Sequence, residues 1–90
     1  MNASKVKSTK HAIEKFKVVK RYGFEISREQ VIETVLDPKR LDKRGDQYFA
    51  IKITNLKHAL RVVYEKRKGY SVVITFYPVR RERYGIQNQV

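Results

Sequence analysis

The chain is predicted to be a single α+β domain, with two N-terminal helices packed on one face of an antiparallel β-sheet. Three observations carry this. Leu60-Arg61-Val62-Val63-Tyr64 and Ser71-Val72-Val73-Ile74-Thr75-Phe76-Tyr77 alternate in polarity and are rich in β-branched and aromatic residues, as strands are. A basic turn ending in Gly69, a residue that accepts positive φ at little cost, joins them as a hairpin. Upstream, two stretches repeat their apolar residues at helical spacing and need a surface to cover.

In chain order, residues 1–8 read as a frayed basic tail. Ser8 or Thr9 caps a first helix that carries Ala12, Ile13, Phe16, Val19 and Tyr22 on one side and ends at Gly23. The second helix is better punctuated. Ser27 and Gln30 make a capping box, Ile26 and Val31 a hydrophobic staple, and Val31, Ile32, Val35 and Leu36 an apolar stripe. Pro38 ends it, because the residue before a proline is pushed out of the helical region. Lys39 to Asp46 reads as a charged loop and Gln47 to Ile53 as the first of three strands in a consecutive antiparallel meander. The domain is expected over residues 9–84, followed by a polar C-terminal tail, 85–90.

With 90 residues there is room for one core. The absence of cysteine excludes disulfides and thiolate metal sites and fits a reducing, cytoplasmic setting. No apolar run approaches the roughly 20 residues of a membrane span, and residues 1–10 are too polar for a signal peptide. The dominant feature is charge. Twenty-one basic residues against nine acidic ones leave a net charge of +12, which points to an anionic partner, nucleic acid before membrane or acidic protein.

The strand faces suggest where that partner binds. If the helices cover Phe49, Ile51, Leu60, Val62, Val72, Ile74 and Phe76, the other face displays Tyr48, Lys52, Arg61, Thr75 and Tyr77, with Ala50, Val63 and Val73 between them. Arg80, Arg81, Arg83 and Tyr84 extend it. Cations that meet phosphate, interleaved with rings that stack on unpaired bases, suit RNA. The apolar residues between them suit a protein partner or a second copy of the chain.

Catalytic groups are few. No glycine-rich phosphate loop and no metal-ligand spacing occurs, and no cofactor is implied. His11 falls in the first turn of the first helix and is the candidate proton carrier, while His58 reads as structural. RNA cleavage by such a chain would use the ribose 2′-hydroxyl as nucleophile rather than a metal-bound water.

Several segments also carry a resemblance. Lys10-His11-Ala12, Ile26-Ser27-Arg28-Glu29-Gln30-Val31, Pro38, Leu60-Arg61-Val62-Val63-Tyr64 and Val73-Ile74-Thr75-Phe76-Tyr77-Pro78 together span about residues 10–80. In these the chain resembles a family of small bacterial and archaeal domains adjacent to the RelE/ParE and BrnT toxins. The resemblance implies a RelE-like α+β fold and a metal-independent endoribonuclease toxin, free or ribosome-dependent, held in check by an acidic antitoxin. It implies that Arg61 and Arg81 stabilise the phosphate, that Tyr84 or His11 moves the proton, and that Arg80 lies nearby. Two departures stand out: Lys20 to Glu25 is longer than the family's compact link between helices, and no histidine lies near the C-terminus. The alternative is a non-catalytic nucleic-acid-binding or protein-interaction module of the same fold.

Overall fold

The computed structural model describes residues 5–84, and their side chains as far as Glu82. Strand β1 (Val6–Ser8) is followed by α1 (Lys10–Arg21), α2 (Arg28–Leu36), β2 (Arg40–Arg44), β3 (Gln47–Ile53), β4 (His58–Arg67) and β5 (Tyr70–Arg80), and a 3-10 helix over Arg81–Tyr84 closes the order. The fold is α+β, as the patterning predicts, but the sheet has five strands in the order β1-β5-β4-β3-β2 rather than three. Strands β2 to β5 form an antiparallel meander, and β1 joins β5 in parallel. No helix among the described residues is long and apolar enough to cross a membrane.

The two added strands replace segments expected to be irregular. The basic tail orders where Val6 pairs with Ser71 and sinks into the core. Three residues with a lysine at their centre carry no periodicity, so only the open edge of β5 reveals this strand. The charged loop becomes β2, exposed along its whole length. An edge strand needs no apolar face, and its charges discourage pairing with another chain.

The helix ends follow local chemistry. Thr9 caps α1 through its hydroxyl, which accepts from the Ala12 N–H at 3.1 Å. The α1 C-terminus closes where Gly23 N–H donates to the Lys20 carbonyl and Phe24 N–H to that of Val19, with Gly23 at φ +89°. The Ser27–Gln30 capping box is present in both directions. The β4–β5 turn has Gly69 at φ +84°.

Both helices cover one sheet face, α1 over β5 and β1, α2 over β4 and β3. Ala12, Val19, Val31 and Val35 meet Ala50, Leu60, Val62, Tyr64, Val73 and Phe76, and Phe16 lies on Phe76 with centroids 4.5 Å apart. Ile13 and Tyr22, expected in the α1 stripe, are 57% and 76% exposed, so α1 presents a narrower apolar face than the sequence suggests.

Two strands depart from the expected faces. Opposed residues in a ladder share a face, and Tyr48 opposes Tyr64 while Ala50 opposes Val62. Tyr48, Ala50 and Lys52 therefore face the helices, and Phe49, Ile51 and Ile53 face away, the reverse of the expectation. Ala50 lies fully buried where α2 crosses β3, a place for a small side chain. On β5 a bulge intervenes: Val63 opposes Thr75 and Tyr64 opposes Val73, which leaves Ile74 without an opposite number. The bulge breaks the alternation, so Val73 and Phe76 are both core residues. Val73 therefore leaves the far face, and Val63, which stays on it, is buried there, so the two do not form an exposed contact face. On the far side Ile51, only 1% exposed, packs with Ala59, Ile53 and Val79 into a second small cluster.

Candidate nucleic-acid interface

The far face of the sheet gathers its functional side chains where β4 opposes β5. Arg61 and Tyr77 are direct cross-strand partners, and Arg61 Nη1 donates to the Tyr77 hydroxyl at 2.7 Å. The guanidinium also lies 4.8 Å from the centroid of Phe49 and 5.5 Å from that of Tyr77. Two rings thus hold one cation in place, an arrangement worth more where water is partly excluded. Because the Tyr77 oxygen accepts from Arg61, its own O–H proton remains available to another acceptor.

Around this pair lies a concavity of about 450 Å³, lined by Phe24, His58, Arg61, Tyr77, Pro78, Val79 and Arg80. None of these is acidic. His58 opposes Arg80 across the ladder, and its ring meets Phe24 edge to face at 5.2 Å. Sequence reasoning assigned His58 a structural part. Three residues before Arg61 on the same strand, His58 leaves β4 on the helix side, where it meets Phe24, and it joins Arg61 and Tyr77 only as lining of the one concavity.

From the other direction α1 reaches the same place. Lys15 stands with its ammonium 5.9 Å from the Tyr77 ring centroid. His11 is exposed on the same helix face, one turn earlier. Thr75 lies two residues before Tyr77 on the same face of β5. Further along the sheet, Lys7 of β1 places its ammonium 5.2 Å from the Tyr70 ring. The far face therefore repeats one theme, a cation set against an aromatic ring.

The remaining candidates separate from this centre. Arg81 donates through Nη1 to the Asn55 and Leu56 carbonyls at 3.3 and 3.2 Å, and its backbone N–H bonds the Lys57 carbonyl. It fastens the end of β5 to the β3–β4 turn. The start of α1 is fixed beside Val73 by the Thr9 N–H, so His11 and Arg81 sit at opposite ends of a strand stretch of roughly 26 Å. Lys52 faces the helix side and pairs with Asp37 at 3.7 Å and Glu33 at 4.0 Å, so it secures the end of α2. Tyr48 is also on the helix side, stacked on Tyr64 at 5.2 Å. The Arg83 and Tyr84 side chains lie outside the described residues. No group of three or more potential metal-ligating side chains occurs among the described residues.

A scan against protein-family models, a search of curated proteins and a search of solved structures each return no match to this chain.

Proposed function

We propose that the chain binds RNA across the far face of the sheet and cleaves it, without a metal ion, at the Arg61–Tyr77 site. One observation carries this reading: Arg61, bonded to Tyr77, lines one concavity with His58 and Arg80. Cleavage of RNA by its own 2′-hydroxyl needs a proton acceptor, a proton donor and positive charge beside the phosphate. Arg61 and Tyr77 supply charge and a proton donor from the far face, and His58 and Arg80, which leave β4 and β5 on the helix side, would reach the same phosphate around the end of the sheet. The 2′-oxygen bonds to phosphorus as the bond to the 5′-oxygen breaks, giving a 2′,3′-cyclic phosphate. The histidine takes the 2′ proton, and Tyr77 gives its own to the departing 5′-oxygen. Arg61 and Arg80 hold the non-bridging oxygens.

The RelE-like identity suggested by residues 10–80 belongs to this proposal, as does an acidic antitoxin whose charge would match the net +12 of the chain. The second reading is a binding module without chemistry. It is favoured by the cation–ring pairs at Lys7–Tyr70 and Arg61–Phe49, which suit stacking on single strands.

The test incubates a labelled RNA with the protein in EDTA, with and without ribosomes, and follows cleavage and binding together. Cyclic-phosphate ends that disappear with Tyr77→Phe and Arg61→Ala support the nuclease. Intact RNA that still binds, with affinity falling as salt rises, leaves the binding module. Tighter binding to duplex DNA than to single-stranded RNA rejects both.

A further inference from the structure

At the end of the sheet away from the Arg81 turn, two hairpin tips and the start of β1 come together. The β2–β3 tip carries Lys43 and Arg44, the β4–β5 tip Lys66, Arg67 and Lys68, and Lys5 precedes β1. Strand register sets all three on one rim, since Arg44 opposes Gln47, Gln47 opposes Glu65, and Val6 opposes Ser71 beside the second tip. All six cations are exposed. The acidic residues there are Asp46 and Glu65, and Glu65 is ion-paired with Arg67. Five strands at about 4.8 Å apart make this rim about 19 Å wide.

Its centre has a feature that mere surface charge does not explain. Tyr48 stacks on the buried Tyr64, with ring planes 15° apart. Lys43 and Lys66, from strands on either side, place their ammonium groups 5.4 and 4.8 Å from the Tyr48 centroid. Two like charges thus converge on one ring whose other side is occupied by Tyr64. They repel one another, and an anion seated between them turns repulsion into attraction.

We propose that this rim is a phosphodiester-binding track, with one backbone phosphate held between Lys43 and Lys66 against the edge of Tyr48. A nucleic-acid strand presents anions at a regular repeat along a line, as the rim presents cations. The track deepens the RNA reading above and rests on it. Its Tyr48 notch opens on the helix side of the sheet and the Arg61 site on the far face, so a strand that uses both turns over the rim; the track lengthens its footprint and adds no chemistry.

The experiment measures binding of a 2′-O-methyl oligouridine, which lacks the attacking hydroxyl, over a salt series in EDTA. The rim variant is Lys43→Gln, Arg44→Gln, Lys66→Gln, Lys68→Gln. A charge-matched control is Lys10→Gln, Lys17→Gln, Lys20→Gln, Arg21→Gln on the exposed side of α1, and circular dichroism confirms that both fold. Each lost phosphate contact removes about 0.7 from the slope of log K against log salt, so the rim variant should lose between two and three. The control should lose far less. Equal losses in the two variants overturn the track, as does an unchanged slope in the rim variant while the native chain still binds. If the native chain fails to bind, the RNA reading falls and takes the track with it. If the rim variant loses poly-glutamate binding to the same extent, the site is one for acidic polymers and the phosphate assignment is wrong. Lys43→Gln with Lys66→Gln alone should lose more affinity than Arg44→Gln with Lys68→Gln, and the reverse order removes the Tyr48 notch.

Discussion

Arg61 and Tyr77 face each other across β4 and β5, joined by a 2.7 Å bond from guanidinium to phenol oxygen. The bond does two things at once. It fixes the cation over Phe49, and it leaves the phenol proton directed elsewhere. If the two residues act as a unit, their mutational effects will not add. Arg61→Ala and Tyr77→Phe should each weaken RNA binding or cleavage, and the double variant should be little worse than Arg61→Ala. Urea titration separates this from folding. The bond is partly exposed, so Tyr77→Phe should cost only about 1 kcal/mol of stability. Additive losses in RNA binding would show that the two residues act independently.

The inverted face of β3 makes a second prediction. Ala50 is fully enclosed beneath α2 and Lys52 is tied to Asp37 and Glu33. Ala50→Leu should destabilise the fold by about 1–3 kcal/mol through overpacking. Lys52→Gln should cost under about 1 kcal/mol, because its pairs are largely exposed, and should leave RNA affinity unchanged. Phe49→Ala should do the opposite: it frees Arg61 from one of its rings and lowers RNA affinity. A Lys52→Gln variant that loses affinity like Phe49→Ala would put Lys52 back on the binding surface.

Much of this architecture is legible in the sequence because local signals agree with tertiary packing. Ser27 with Gln30, Gly23 after α1 and the alternation of Leu60 to Tyr64 each have one structural solution. The failures share a cause. Strand patterning says which residues share a face but not which face is covered. Phe49, Ile51 and Ile53 look like core because they are large, yet the helices chose the side with Ala50, where the backbone can be approached closely. The Ile74 bulge is invisible to period-two reasoning: Thr75, Phe76 and Tyr77 keep their expected faces, while Val73 moves to the helix side and Val72 to the far side. Strand β2 is held by its neighbour's edge rather than by its own side chains, and β1 adds only Val6 to the core. At the site, Arg61, Thr75 and Tyr77 were readable as a basic, aromatic face. His58 was not, since it leaves β4 on the side opposite Arg61 and meets that site only as lining of one concavity. Arg81 carries a guanidinium like the others, and only its turn carbonyls reveal that it is a fastening.

Tyr64 gives the fold a dependence on alkaline pH. Burial, and secondarily the neighbouring Tyr48 phenol, hold its ionisation above the ordinary phenol value of 10.0. The folded state therefore keeps the proton that the unfolded chain releases near pH 10. Stability from this source is complete below that value and declines as pH rises through and beyond it. Chemical denaturation between pH 8 and 11 should show a falling midpoint, and Tyr64→Phe should flatten part of the fall. The difference between the two proteins isolates the contribution of Tyr64 from that of the rest of the chain. A variant that follows the native curve throughout would mean that the phenol ionises equally easily in both states.

The two histidines make the last test of the proposed chemistry. His58 lines the concavity beside Arg61, Tyr77 and Arg80, whereas His11 stands one turn from Lys15 on the helix that overlooks Tyr77. A group that takes a proton in the transition state contributes roughly 10²–10⁴-fold to the rate. If His58 is that group, His58→Ala should slow cyclic-phosphate formation by about a hundredfold or more while binding of the non-cleavable oligonucleotide stays near the native level. His11→Ala should then change the rate only a few-fold. The reverse result assigns the proton to the helix and moves the reacting phosphate from the His58 end of the concavity toward the free edge of β5. Loss of binding in His58→Ala, with its thermal melt unchanged, would make the residue a contact for RNA rather than a base. His58→Phe sharpens the distinction, since it keeps an aromatic ring against Phe24 and removes both nitrogens. A His58→Phe protein that melts like the native chain, binds like it and no longer cuts is the outcome that the geometry predicts.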